Sequence, residues 1–184
     1  MLRAIVFAIF DCGFVPRCAA EIDDGAEIRI DKIFRIIEDC KFAVHDLSKT
    51  ALDPKTKLPR FNMPLELGIF LGAKRFGTGK HKGKGCLILD TERYRYQKFI
   101  SDISGQDIKA HAGKPKRAVA CIRDWLQSAS GRRTVPGGGE IWRRYGSFTA
   151  ALPGICDSVR LSPAEMTFSD LRNIAGIWLQ ENAA

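Results

Sequence analysis

Two short β-favouring runs, "KFAVHDLS" (41–48) and "KGCLILD" (84–90), flank an apolar helical pattern, "MPLELGIFLGAKRF" (63–76). This strand–helix–strand order constrains the chain more than any other feature. Strands joined through a helical crossover run parallel, and parallel strands are buried beneath helices. The run "RAIVFAIF" (3–10), bounded by Asp11 and Gly13, reads as a further strand buried on both faces. "EIRIDKIFRIIEDC" (27–40) carries Ile30, Ile33, Phe34 and Ile37 as the apolar stripe of a helix. Farther along, "RYRYQKFISDI" (93–103) has a helical pattern and "DIKAHAG" (107–113) that of a short strand or loop. "PKRAVACIRDWLQSA" (115–129) is an amphipathic helix opened by Pro115. After the flexible break "GRRTVPGGG" (131–139), "EIWRRYGSFTAALPGIC" (140–156) and "MTFSDLRNIAGIWLQEN" (166–182) read as two more helices, with Trp125, Trp142 and Trp178 burying them.

The alternation predicts an α/β chain with a Rossmann-like or flavodoxin-like open parallel sheet, helices on both faces and extra C-terminal helices. The expected division is an α/β domain over 1–130 and a helical extension over 131–184 packed on the same domain. A length of 184 residues suits this. The formal net charge of +8 fits an anionic partner (nucleotide, nucleic acid or acidic protein), but solvated surface is the simpler account of it. Six cysteines without a CxxC pair argue for reduced thiols in a cytoplasmic protein rather than a disulfide framework. His45, His81 and His111 are scattered, without metal-ligand spacing. The apolar run at the N-terminus is short for a signal peptide and is followed by Asp11 and Arg17. No stretch reaches transmembrane length, so no membrane partner is expected.

In open parallel sheets the ligand crevice lies beyond the carboxyl ends of the strands. Asp11, Asp46 with Ser48, and Asp90 end the three expected strands and would line that edge. Pro64 suits a first helical turn, which puts Glu66 in the same turn, where free N–H groups and the helix dipole favour a carboxylate. A capping job follows from position alone. The rest of the helix argues for more: Leu65, Leu67, Ile69, Phe70 and Leu71 make it apolar all round. Gly68 and Gly72 leave a smooth strip for close packing. A carboxylate there loses water, and its pKa rises unless donors compensate. A buried pair with Arg60 or Arg17 is the structural alternative.

The segments "CKFAVHDLSKT", "RFNMPLELGIFLGAKRFG" and "GCLILD" resemble the core of the nucleoside 2-deoxyribosyltransferase-like and TIR-like group, over roughly residues 3–90. In that group a strand closing on Asp or Ser is followed by a loop and a helix whose first turn carries a catalytic glutamate, in a pattern like "E-hydrophobic-G-x-A". "LELGIFLGA" (65–73) is similar, and the resemblance therefore puts the catalytic role on Glu66. The chain departs from the deoxyribosyltransferases in having "FNMPLE" where they carry a Ser/Gly-rich turn, which leaves the substrate open.

What the resemblance implies is cleavage or transfer at the N-glycosidic bond of a nucleoside, nucleotide or NAD, in a setting such as bacterial defence. NAD enters as substrate, with no cofactor and no metal. TIR-like domains often act only when assembled, so a homo-oligomer is compatible with it. A single carboxylate against the anomeric carbon stabilises a developing oxocarbenium ion or bonds to it, more effectively where water is scarce. Phe14 and Arg17 would stack on a base and hold a phosphate, and Asp46 and Ser48 would bond sugar hydroxyls. Asn62 and His45 are further donors toward the leaving group. Strand-end turn chemistry is an equal reading of Asp46 and Ser48, a turn role of Asn62, and ordinary packing of Phe14 and Arg17.

Two readings from other classes stand beside this one: a non-catalytic nucleotide-binding or signalling module, and a basic nucleic-acid binder. "KRFGTGKHKGKG" (74–85) has a phosphate-contacting composition, matches no P-loop, and reads as a solvated basic linker. Tyr96, Phe99 and Ile100 read as a packing face.

Overall fold

The structure, a computed structural model, describes residues 1–21, 23–50, 52–132 and 134–183. In chain order its elements are α1 (Leu2–Asp11), α2 (Arg29–Asp39), β1 (Phe42–Asp46), α3 (Asn62–Phe76), β2 (Gly85–Asp90), β3 (Ile108–Ala110), α4 (Pro115–Ser130), α5 (Gly138–Ser158) and α6 (Phe168–Glu181). They form two compact units, Glu27–Arg117 and Met1–Ala26 with Ala118–Ala184. The division differs from the expected break at residue 130, because the N-terminal segment groups with the C-terminal helices.

That segment is a helix, not the expected strand. An uninterrupted apolar run has no period by which a buried strand could be told from a buried helix. Tertiary partners settle it: α1 packs on α5 and α6. Ala4, Phe7 and Ala8 are fully buried. The Phe7 ring stacks on Phe148 at 5.2 Å and meets Tyr145 at 5.5 Å and Trp178 at 5.9 Å. An aromatic cluster of this kind contributes beyond the area it buries. Asp11 therefore ends a helix instead of lining a sheet edge, and lies 3.2 Å from Arg144. α6 opens on a capping box, in which Thr167 Oγ1 accepts from the Asp170 N–H and the Asp170 carboxylate accepts from the Thr167 N–H.

The unit of residues 27–117 contains an open, three-stranded parallel sheet in the order β1–β2–β3. His45 lies opposite Ile88 and Asp46 opposite Leu89; Ile88 pairs with Ile108 and Asp90 with Ala110. α3 is the crossover between β1 and β2 and so runs back against the strand direction. Leu47, Leu67, Ile88, Tyr96 and Ile108 form the core beneath it, joined by Met63, Leu71, Phe99 and Ile100. Tyr96, Phe99 and Ile100 thus pack as expected, but not on a helix. Residues 93–103 form only short 3-10 turns, Arg95–Lys98 and Ser101–Ile103, and Tyr94 sits at φ 68° in the left-handed region. The crossover from β2 to β3 consequently lacks an α-helix.

Arg95 explains the turn. Its guanidinium reaches the fully buried Asp90 at 2.7 Å and donates to the Leu47 carbonyl at 2.7 Å and Thr50 Oγ1 at 3.1 Å. One side chain thereby joins the end of β2 to the loop after β1. A second buried cation works at the other end of the strands. Lys84, the last residue before β2, donates to the Ile37, Glu38 and Cys40 carbonyls at the C-terminus of α2. The basic linker of 74–85 therefore ends in a buried residue, and burial lowers the Lys84 pKa.

Removing one partner of a buried ion pair leaves the other charge uncompensated. Asp90→Ala is expected to lower unfolding stability by about 3–5 kcal/mol, read from denaturant midpoints. Thr167→Ala, which removes only a helix cap, should cost about 1 kcal/mol.

Candidate functional site

The carboxyl ends of the three strands bring together Asp46, Asp90 and His111, the residue following β3. Asp46 ends β1, and its Oδ1 accepts from the Ser48 N–H at 3.0 Å. The strand-end turn reading of Asp46 and Ser48 is therefore realised. His111 Nε2 lies 3.2 Å from the same oxygen, and its Nδ1 accepts from the Gly113 N–H at 3.0 Å. The second bond settles the tautomer: with Nδ1 an acceptor, Nε2 carries the hydrogen and donates it to Asp46. His111 is buried. Sequence reading missed His111, although the rule that selected Asp46 and Asp90, a polar residue closing a β-favouring run, selects it too.

Glu66 stands near this edge. The Phe70 ring meets His45 edge-on at 5.6 Å, and Glu66 is one helical turn nearer the start of α3. Since α3 runs against the strands, that turn lies toward their carboxyl ends. The helix begins at Asn62, so Glu66 is in its second turn, not the first, and its capping role falls away. The side chain is half-buried, and no hydrogen bond or ion pair to it is present among the described residues. Burial pushes its carboxyl above the ordinary glutamate range, with the charge of Arg29 acting in the opposite direction. The alternative of a buried pair with Arg60 is not realised, since Arg60 is 3.7 Å from Asp53; Arg17 lies in the other compact unit, 2.6 Å from Glu21.

The helix carrying Glu66 is not buried all round. Leu67 and Phe70 are buried, whereas Leu65 and Phe76 are exposed, and a Cβ at Gly68 or Gly72 would meet nothing within 4 Å. Asn62 is exposed at the start of the helix. His45 cannot serve a leaving group outside the core, because it is buried with both ring nitrogens lacking a hydrogen-bond partner among the described residues. Phe14 and Arg17 belong to the other compact unit, where Phe14 lies 4.2 Å beneath the Arg132 guanidinium.

Glu66 lines neither of two shallow hollows in the sheet unit. One of about 450 Å³ is lined by Leu71, Lys74, Arg75, Lys82 and Gln106, and one of about 300 Å³ includes Glu38, Lys41, Lys80 and Lys84. All six cysteines are free thiols. Among the described residues, no group of three or more His, Cys, Asp or Glu side chains could hold a metal ion, and no helix is long and apolar enough to cross a membrane. Comparison with protein-family models, curated proteins and solved structures found no match for this chain.

His45 makes the stability of the protein sensitive to acid. Burial lowers its pKa to about 4 from the usual 6.5. The unfolded chain takes the proton first, so stability is complete above the unfolded pKa and lost as pH falls toward the folded one. The loss is expected to be on the order of 3 kcal/mol, and His45→Leu should remove that slope from denaturant midpoints measured between pH 7 and pH 4. Glu66 has the opposite sign: its raised pKa is a stability cost present at neutral pH and absent below the ordinary glutamate pKa. Glu66→Gln should therefore raise the midpoint at pH 7, with the gain disappearing in acid.

Proposed function

We propose that the sheet unit acts at its carboxyl edge on the N-glycosidic bond of a nucleoside, a nucleotide or NAD, with Glu66 as the carboxylate. The observation that carries this reading is a half-buried, unpartnered acid near the strand ends, on the helix that follows β1. Such an acid is poorly solvated, so its charge acts strongly on a positive centre brought against it. Departure of the base leaves positive charge on the sugar ring, and the ionised carboxylate meets it at the anomeric carbon, by ion pairing or by a covalent glycosyl–enzyme bond. Water, or a second base in a transferase, then takes the sugar from the opposite side. Asp46 is pre-oriented for sugar hydroxyls by the Ser48 N–H and by His111. The resemblance to the deoxyribosyltransferase-like and TIR-like group supports the same assignment through "LELGIFLGA".

A second reading is a nucleotide-binding or signalling module without turnover; the two hollows lined by Lys74, Arg75 and Lys82 and by Lys41, Lys80 and Lys84 offer cations to a phosphate and do not include Glu66. The two readings separate when the full chain is incubated with NAD and with nucleosides, deoxynucleosides and nucleotides, and released base is measured by chromatography. Base release that falls about a hundredfold or more in Glu66→Gln is the expected result. Release unchanged by that substitution overturns the role of Glu66. Nucleotide binding without release establishes the second reading.

A further inference from the structure

At the amino ends of β2 and β3 the same unit carries a feature that the carboxyl-edge chemistry does not use. The larger hollow lies there: Leu71, Lys74 and Arg75 come from the last turns of α3, Lys82 from the turn before β2, and Gln106 from the approach to β3. Three cations and an amide line about 450 Å³ with no acidic side chain among them. Lys74 and Arg75 have no ion pair among the described residues. Lys82 donates to the Arg75 carbonyl at 3.0 Å, which holds its ammonium over the end of α3 while leaving two N–H donors free. Phe76, the residue after Arg75, is 83% exposed, the highest value for any large apolar side chain among the described residues. Phe76 does not line the hollow; it follows Arg75 at the end of α3 and leaves an aromatic ring in water next to that residue in the chain.

We propose that this hollow and Phe76 bind single-stranded nucleic acid. Lys74, Arg75 and Lys82 would neutralise consecutive phosphates, and Gln106 would bond a phosphate or sugar oxygen. The Phe76 ring offers a face on which an unpaired base stacks, the combination by which strands are held without reading their sequence. A duplex keeps its bases inside and cannot use that ring, so the exposed aromatic favours a single strand. The site is independent of Glu66 and of the proposed reaction.

The test is fluorescence anisotropy of the full chain with labelled oligo(dT), oligo(U) and a duplex of equal length across a salt series. Both single strands should bind, with affinity falling log-linearly with salt; a preference for oligo(U) over oligo(dT) would identify RNA as the form taken. Lys74→Glu with Arg75→Glu and Lys82→Glu should weaken binding more than tenfold and flatten the salt slope by about 2, since each neutralised phosphate contributes about 0.7. Phe76→Ala should weaken single-strand binding roughly five- to a hundredfold and leave the slope unchanged. Lys49→Glu with Lys55→Glu and Lys57→Glu, an equal charge change on another exposed loop, should have a much smaller effect. The milder pair Arg75→Gln and Lys82→Gln should shift binding in the same direction as the triple reversal, which guards against a misfolded variant. Absence of single-strand binding overturns the proposal. So does equal loss in the two triple variants, which would mean attraction by net charge alone. Competition by inorganic phosphate or AMP at equal concentration of phosphate groups would mean a small-anion site and overturn it as well.

Discussion

Asp90 and Arg95 are the contact on which the sheet unit depends. A carboxylate that is fully buried at the end of a central strand is costly unless its charge is met, and Arg95 meets it at 2.7 Å. The same guanidinium takes the Leu47 carbonyl and the Thr50 hydroxyl, so the loop leaving β1 is fastened to the end of β2. Beside it, His111 reaches from the end of β3 to Asp46 at the end of β1. Three strand ends are thus tied by two charged or polar pairs, and the chain leaves the sheet along a defined edge.

The two ends of the sheet differ in chemistry. The carboxyl edge gathers Asp46, Asp90 and His111, with Glu66 a turn into the neighbouring helix. The amino end gathers Lys74, Arg75 and Lys82, with Lys84 buried and consumed in capping α2. The acid proposed to oppose an oxocarbenium ion stands at the first end, and the surface proposed for phosphates at the second.

Much of the sheet unit was legible because its patterns are local. β1, α3 and β2 form where short apolar runs and a helical pattern alternate, and α2 keeps Ile33 and Ile37 on its buried side, though Phe34 of the same stripe stays exposed. Residues 93–103 were misread as a helix because Arg95 is drawn to Asp90, a partner that no local pattern announces. Glu66 was read as a first-turn acid, and the helix in fact starts before Pro64, at Asn62. His111 escaped notice because the three-residue β3 before it reads equally as a short strand or a loop, so the strand-end rule was not applied there.

By itself, the sequence determined that strands alternate with helices, that the sheet is parallel, and that an acid would stand on the helix after β1; periodicity and turn residues carry that information within a few residues of each site. Only the tertiary structure decided that residues 2–11 are a helix, since an apolar run takes the form its packing partners impose, here Phe148 and Trp178. Only it decided that Phe14 and Arg17 belong with the helices, that His45 is sealed against Phe70, and that His111 holds Asp46. Each of those outcomes rests on contacts between residues far apart in the chain, and such contacts exist only once the chain has folded.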